Sequence, residues 1–332
     1  MNNISIIIFT CKRALQLDLL LRSIFKNFKD LNTPIFLVYD YNKSHSVSYD
    51  LIKKKWNKKI KIFKVNTKKT FPFSETKKYR KYFFRIINYM HNIRWKFFGF
   101  SDLKIVLENI LSNKIKTEYV TMMTDDTVLF KKNKINNLVL KKINESPKKF
   151  FYRYCIDKNF KGLENPKKAY NLQKLNEKNS KLFKWRLKNN FFSFHNCFWN
   201  YRFSIDACIF DRKQLIKFLT PIFYSNPSNL ESIGNKETYL REFYEYGISD
   251  LNRTYAGLHL NNIQTMVDTP AGNFDVDFLQ ILFLNGYKIS INPKQFNKKV
   301  HNIVPKDIIF LKNNKKYKYS NLINDLQKGK KI

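Results

Sequence analysis

Apolar positions along the chain alternate between two patterns. Ile4 to Phe9 is a short, almost unbroken apolar run, and so is Pro34 to Tyr39. Runs of that length, closed by polar turns, predict strands buried on both faces of a sheet. Between them, Ala14 to Phe28 has the spacing of an amphipathic helix. Strand, helix and strand at this spacing predict a βαβ unit with a right-handed crossover. Tyr49 to Trp56 then predicts a second helix, Ile60 to Val65 an alternating third strand, and Ser101 to Leu111 a further helix. The next apolar, β-branched run lies within Lys116 to Phe130, and two adjacent carboxylates, Asp125 and Asp126, interrupt it.

Regularity falls off after that point. Phe150 to Cys155 predicts a short strand containing Arg153, and residues 157–190 read as a Lys- and Asn-rich loop or insertion with a weak helix. Trp199 to Phe210 is aromatic and then strand-like, with Asp206 among apolar neighbours. Asp211 is placed to cap a helix over Arg212 to Leu219. Pro221 to Asn229 reads as a loop, Glu231 opens a polar turn, and Lys236 to Tyr246 predicts a helix. Asn261 to Gln264 falls in a loop after a strand. Asp275 to Leu284 is helical and stops at Asn285-Gly286. From Lys298 onward ten lysines face two aspartates, which predicts a basic tail.

Composition narrows the class. Over 332 residues, 43% hydrophobic and 16% aromatic content excludes a disordered chain in spite of a formal net charge of +36. Such an excess attracts polyanions, but the whole chain is rich in Lys, Asn, Ile and Phe, a uniform bias that also explains it. The seven lysines from Lys53 to Lys64 read as a solvated face. The cysteines Cys11, Cys155, Cys197 and Cys208 have no CxxC spacing, and the histidines His45, His91, His195, His259 and His301 have no ligand spacing. Few scattered cysteines, no leader-like start and no apolar run of about 18 residues lead to an expected cytoplasmic location, with any contact at the inner membrane face peripheral. Glycine-rich phosphate loops and nucleic-acid-binding modules are missing from the sequence, so no nucleic acid is expected as a partner.

Candidate chemistry gathers at strand ends. Thr10, Asp40 and Asp125/Asp126 each close a predicted strand, where open α/β sheets bind ligands. Two carboxylates ending a core strand imply a cation between them and a ligand, because an ionised buried carboxylate needs a partner. A hard divalent ion, Mg²⁺ or Mn²⁺, held against a diphosphate by Asp126 and Asp125 would meet that need. Thr10, Arg13, Asp40 and Asp125 are then candidates to grip the donor. Glu231, with Asp206 as its competitor, is the candidate base for an acceptor hydroxyl. Each has a plainer alternative as a turn, cap or buried structural residue.

The pattern resembles bacterial GT-A-type glycosyltransferases of the family-2-like group. Ile4 to Arg13 looks like their first strand and nucleotide-gripping turn, and Thr124-Asp125-Asp126 is similar to their DxD or DD site, with Thr124 in place of the first Asp of a strict DxD. A subgroup carrying W-x-Y-x-x-S-x-D, N-P-x-x-L-E and N-x-[VI]-Q segments is resembled by Trp199 to Asp206, Asn226 to Glu231, and Asn261 to Gln264. The resemblance, running from about residue 4 to about residue 292, implies a GT-A-like, mixed and mainly parallel sheet flanked by helices. It implies a nucleotide-sugar half over 1–150 and an acceptor half over 151–297; the basic tail over 298–332 lies outside it. The implied activity is metal-assisted, inverting transfer of a sugar from a nucleotide-diphosphate donor to a saccharide or other glycan acceptor. The rival expectation is a basic, non-catalytic protein that binds nucleic acid or an anionic membrane surface. A nucleotidyltransferase is disfavoured because no glycine-rich loop follows the first strand.

Overall fold

The computed structural model describes residues 4–65, 102–157, 172–175, 182–187, 198–222, 224–263, 270–297 and 302–328. The chain opens with strand β1 (Ile4–Thr10), helix α1 (Ala14–Asn27), β2 (Ile35–Asp40), α2 (Ser46–Lys55) and β3 (Ile60–Val65). Helix α3 (Leu103–Asn109), prolonged by a π-helical segment over Ile110–Lys114, leads into β4 (Tyr119–Thr124). After β5 (Thr127–Leu129) come α4 (Asn137–Glu145), β6 (Phe150–Arg153), β7 (Gln173–Lys174), β8 (Leu182–Arg186) and β9 (Cys208–Asp211). Helices α5 (Arg212–Leu219) and α6 (Pro227–Leu240) precede β10 (Tyr246–Asp250) and β11 (Tyr255–Leu258). Helix α7 (Val276–Leu284), β12 (Lys288–Ser290), β13 (Asn302–Ile303), β14 (Ile309–Lys312), β15 (Lys315–Lys318) and α8 (Tyr319–Gln327) complete it.

Nine strands form one mixed sheet in the order β3-β2-β1-β4-β9-β6-β10-β8-β7. Strands β3, β2, β1 and β4 are mutually parallel, with Ile7 opposite both Phe36 and Met122. β1 is buried along its whole length, which is why its sequence shows no polar alternation. β9 runs antiparallel to β4 and β6, so the parallel arrangement gives way at the middle of the sheet. The chain runs from β1 through β2 to β3 on one side and returns to β4 on the other. The gap between the C-terminal ends of β1 and β4 is therefore a topological switch point, where such sheets bind ligands.

A second, three-stranded sheet in the order β13-β11-β5 begins where β4 ends. Asp125 and Asp126 form the turn between β4 and β5, so the carboxylate pair stands at the junction of the two sheets. The pairing Ala256↔Val128 places β11 directly beside the segment that follows the pair.

Two differences from the sequence reading stand out. Pro227 to Leu240 is one helix, capped by the Asn226 side chain accepting from Asn229 N at 2.8 Å. Glu231 therefore sits inside a helix rather than at a polar turn. Gly234, Asn235 and Thr238 obscured the apolar spacing, while Asn226-Pro227 carried the N-cap and N1 signal. The lysine-rich segment after residue 298 also contains folded structure: Phe310 is fully buried, and β14 pairs with both β12 and β15. Ile308 and Phe310 are buried with Ile309 exposed between them, and the exposed Lys315, Lys316 and Lys318 of β15 hid the strand pairing behind charge. Among the described residues, no helix is long and apolar enough to cross a membrane. Thr76 to Phe100, most of 157–190, Cys197 and Gln264 lie outside the described residues.

Candidate active site

The site is built on the turn after β1. Thr10 Oγ1 is hydrogen-bonded to the Tyr49 hydroxyl at 2.6 Å, and Tyr49 stacks on Tyr39 with ring centroids 3.7 Å apart. Lys12 adopts φ 54°, a left-handed conformation uncommon for a side-chain-bearing residue. This sharp turn swings Arg13 back over the ends of β1 and β4. Asp125 is drawn in from the opposite side: its amide donates to Phe9 O at 3.2 Å, and its Oδ2 accepts from Cys11 N at 3.0 Å.

Arg13 is the centre of the arrangement. Its Nη1 donates to Asp126 Oδ2 at 2.8 Å and to Asp125 Oδ1 at 3.3 Å. Its Nε donates to Asn261 Oδ1 at 2.8 Å, and its Nη2 to the Asn261 carbonyl. One guanidinium thus joins the start of α1, the β4–β5 turn and the segment after β11. Arg13 is about 5% exposed. Burial alone lowers the affinity of its guanidinium for the proton, but Asp126 and Asp125 reverse the balance and hold it charged.

The carboxylates differ. Burial pushes Asp125 up to about 6, against the opposing pull of Arg13. Burial also acts on Asp126, but there Arg13, followed by His259, overcomes it and leaves the group below its ordinary range. His259 Nε2 lies 3.8 Å from Asp126 Oδ2. Asp40 ends the neighbouring strand β2, and its charge reaches the Cys11 thiol, which burial, foremost, pushes up to about 12.

A second cluster faces the pair. The turn before β9 carries Ser204 and Asp206, and Ser204 Oγ accepts from Asp206 N at 3.1 Å. Ser204 donates to Glu231 Oε1 at 2.5 Å, and Ile205 N donates to the same oxygen at 3.3 Å. Asn235, one turn further along α6, accepts from Arg202 N and Phe203 N at 3.0 and 3.1 Å. Burial raises Glu231 to about 7, opposed by the Ser204 hydrogen bond. Thr124 Oγ1 lies 3.5 Å from Asp206 Oδ1, so Asp206 and the Asp125–Asp126 turn belong to one connected site.

Among the described residues, no three His, Cys, Asp or Glu side chains stand together as a ligand set for a metal. Asp126 and His259 face each other, whereas both Asp125 oxygens are engaged by the Cys11 amide and Arg13. Asp126 is the carboxylate placed to offer an oxygen to a hard ion, and its Oδ2 also accepts from Arg13 Nη1 at 2.8 Å.

The sequence reading named Thr10, Arg13, Asp125, Asp126, Asp206 and Glu231, and the structure gathers them within these two clusters. It gave no role to His259 and did not single out Tyr255; Asn261 entered only within a quoted segment. A lone histidine after a strand, or a lone tyrosine at the start of one, carries no spacing signal. Only the pairing of β11 with β5 brings them to the carboxylates.

No protein-family model matches the chain, and no curated protein matches it by sequence. Among solved structures, S. aureus TarS 1-349 is similar at 15% identity and a TM-score of 0.36, covering 76% of this chain and 59% of that one. The chain thus spans 59% of the length of that structure. TarS 1-349 in complex with UDP-GlcNAc gives 14% identity and a TM-score of 0.38, covering 85% and 72%. Mouse xyloside xylosyltransferase 1 gives 12% identity and a TM-score of 0.29, covering 76% and 79%.

Proposed function

We propose that this protein is a glycosyltransferase that moves a sugar from a nucleotide-diphosphate donor to a saccharide or other glycan acceptor, with inversion. The observation that carries the reading is the placement of Asp125–Asp126 at the switch point between β1 and β4, linked through Thr124 to the carboxylate of Asp206. A donor lying across the ends of β1 and β4 would meet the turn of Thr10 and Cys11. The acceptor would approach from the side of Asp206 and Glu231. An inverting displacement needs one carboxylate there to take the acceptor's proton while the opposite face releases diphosphate.

Asp206 and Glu231 are the candidate bases. Glu231 braces the turn that carries Asp206, and Asp206 is the carboxylate linked through Thr124 to the Asp125–Asp126 turn, which supports Asp206 as the reacting group. Asp126, assisted by His259, would hold a divalent ion, which when bound neutralises the leaving diphosphate. In this reading Arg13 keeps the two aspartates in register and offsets one of their charges.

UDP-GlcNAc, the molecule bound in one TarS structure, is a suitable first probe within a panel of UDP- and GDP-sugars, each tested with and without Mn²⁺. A donor at 100 times its dissociation constant should stabilise the protein by about 2.7 kcal/mol. Asp126→Ala should abolish both the Mn²⁺-dependent part of that stabilisation and donor turnover. If no donor in the panel raises the melting temperature or is turned over, the reading is overturned.

A further inference from the structure

Asp206 is held with more care than a turn residue requires. Its Oδ1 accepts a short hydrogen bond from the Tyr255 hydroxyl and lies 3.5 Å from Thr124 Oγ1. Tyr255 is completely buried, and its hydroxyl also lies 2.5 Å from Thr127 Oγ1. Thr127 spends its own proton on Thr124 O at 2.6 Å, so Thr127 Oγ1 and Asp206 Oδ1 both accept from the single Tyr255 hydroxyl, and the charged carboxylate is the stronger acceptor of the two.

Backbone geometry agrees. Ala207, the next residue, has φ 58°, a left-handed conformation that costs a non-glycine residue energy unless its surroundings enforce it. Here Ala207 N donates to Met122 O at 3.0 Å and Ala207 O accepts from Tyr154 N at 3.2 Å. Tyr154 meets the Tyr255 ring edge-on at 5.4 Å, and its own hydroxyl pairs with Thr121 Oγ1 at 2.7 Å. The main chain is therefore bent to aim Asp206, and a stack of buried tyrosines fixes the donor that receives it.

We propose that Tyr255 is the positioning residue for Asp206, fixing its carboxylate against the Asp125–Asp126 turn through Thr127 and Thr124. The proposal rests on the sugar-transfer reading for the role of Asp206, but its geometry stands independently. Tyr255 lies on β11 and Thr127 on β5, and these strands are paired in register. Any movement of the β4–β5 turn when a donor binds is thus transmitted to the carboxylate that faces the acceptor. The other titratable groups around Asp206 are Tyr154 and Cys155 after β6, Cys208 on β9 and Glu231 on α6.

The test uses full-length protein with ¹³C-labelled aspartate carboxyls, the Asp206 signal being identified by its loss in Asp206→Asn. Tyr255→Phe removes the hydrogen bond that the carboxylate accepts, so the Asp206 carboxyl signal at pH 8 should move away from its wild-type position. Placing 3-fluorotyrosine at position 255 keeps the shape and strengthens the donor, so the signal should move in the opposite direction. If neither replacement moves it, the proposal is overturned. In turnover, Tyr255→Phe should lower kcat about tenfold with donor KM within about twofold. In an Asp206→Asn background the same replacement should add no further loss, and a full additional loss there overturns the positioning role. Absence of turnover by the wild type with every donor would instead overturn the sugar-transfer reading, and the position of the carboxyl signal would still decide the Tyr255–Asp206 link.

Discussion

Arg13 Nη1 stands 2.8 Å from Asp126 Oδ2 in a place where the arginine side chain is 5% and the aspartate 13% exposed. A cation buried this deeply is stable only with its counter-charges, and the reverse holds for the two aspartates. The pairing also ties residues 13, 125–126 and 261 into one unit, although they are far apart in sequence.

Arg13→Ala should therefore destabilise the protein by about 3–5 kcal/mol, because it leaves buried carboxylates without their partner. Arg13→Lys should recover only part of this, since an ammonium cannot span Asp126 and Asn261 as a planar guanidinium does. Urea denaturation at neutral pH measures both. A loss below about 1 kcal/mol for Arg13→Ala would remove the clamp from the description of the site.

Glu231 gives a prediction with a definite sign. Its carboxyl is raised from 4.5 to about 7 by burial, so the folded protein holds this proton across a range in which the unfolded chain has released it. The group's contribution is fully present below pH 4.5 and is lost as pH rises through 7. Glu231→Gln retains an acceptor for Ser204 and Ile205 without the titration. Between pH 4.5 and 7 the stability difference should shift in favour of the variant, by about 1–3 kcal/mol, and stay flat above. Paired denaturation curves at pH 5 and pH 8 decide it, and parallel behaviour at both would show that Glu231 is not held neutral.

Asn226 caps α6 through Asn229 N. Asn226→Ala should cost about 1 kcal/mol and Asn226→Asp close to nothing, as read from melting temperatures. Equal losses in the two variants would argue against the cap.

How much of this was legible in the sequence follows from which forces write locally. The three N-terminal strands and α1 could be read directly, because β1, β2 and the buried face of α1 declare themselves through apolar runs and spacing. Asp211 likewise announced α5 as its cap, and α7 showed as a helical run ending at Asn285-Gly286. Asp125 and Asp126 were visible as charges set inside a buried strand. Their partners were not. Asn261 and His259 reach the carboxylates only because β11 pairs with β5 across more than a hundred residues, and nothing local encodes that pairing. Helix α6 was misplaced because its middle is polar on the side that bonds to the 202–205 turn. Asn235 spends its side chain on that turn, so the helix loses the apolar periodicity by which it could be found.

Gly257 marks how closely the C-terminal segment approaches the site. A Cβ added there would lie 2.3 Å from Asn302 Oδ1 and 3.0 Å from His259 Nε2. Gly257→Ala should thus displace β13 or His259 and destabilise the protein by about 1–3 kcal/mol. Asn302→Ala should relieve most of that cost. A double-mutant cycle measures the coupling, and independent, additive effects would count against the contact.

The pairing of β13 with β11 sets an order of events during synthesis. The four parallel strands, the Asp125–Asp126 turn and Arg13 can all come together while the ribosome is still making the rest of the chain. The sheet that holds Tyr255 and His259 in place has an edge supplied by Asn302 and Ile303, and His259 N donates to Ile303 O at 2.9 Å. Until those residues emerge, β11 lacks its outer neighbour. A nascent chain would therefore carry its aspartates early and remain unfinished at the acceptor side until β13 is made. Translation that stops short of residue 303 would leave β11 without that neighbour and the acceptor side of the site incomplete.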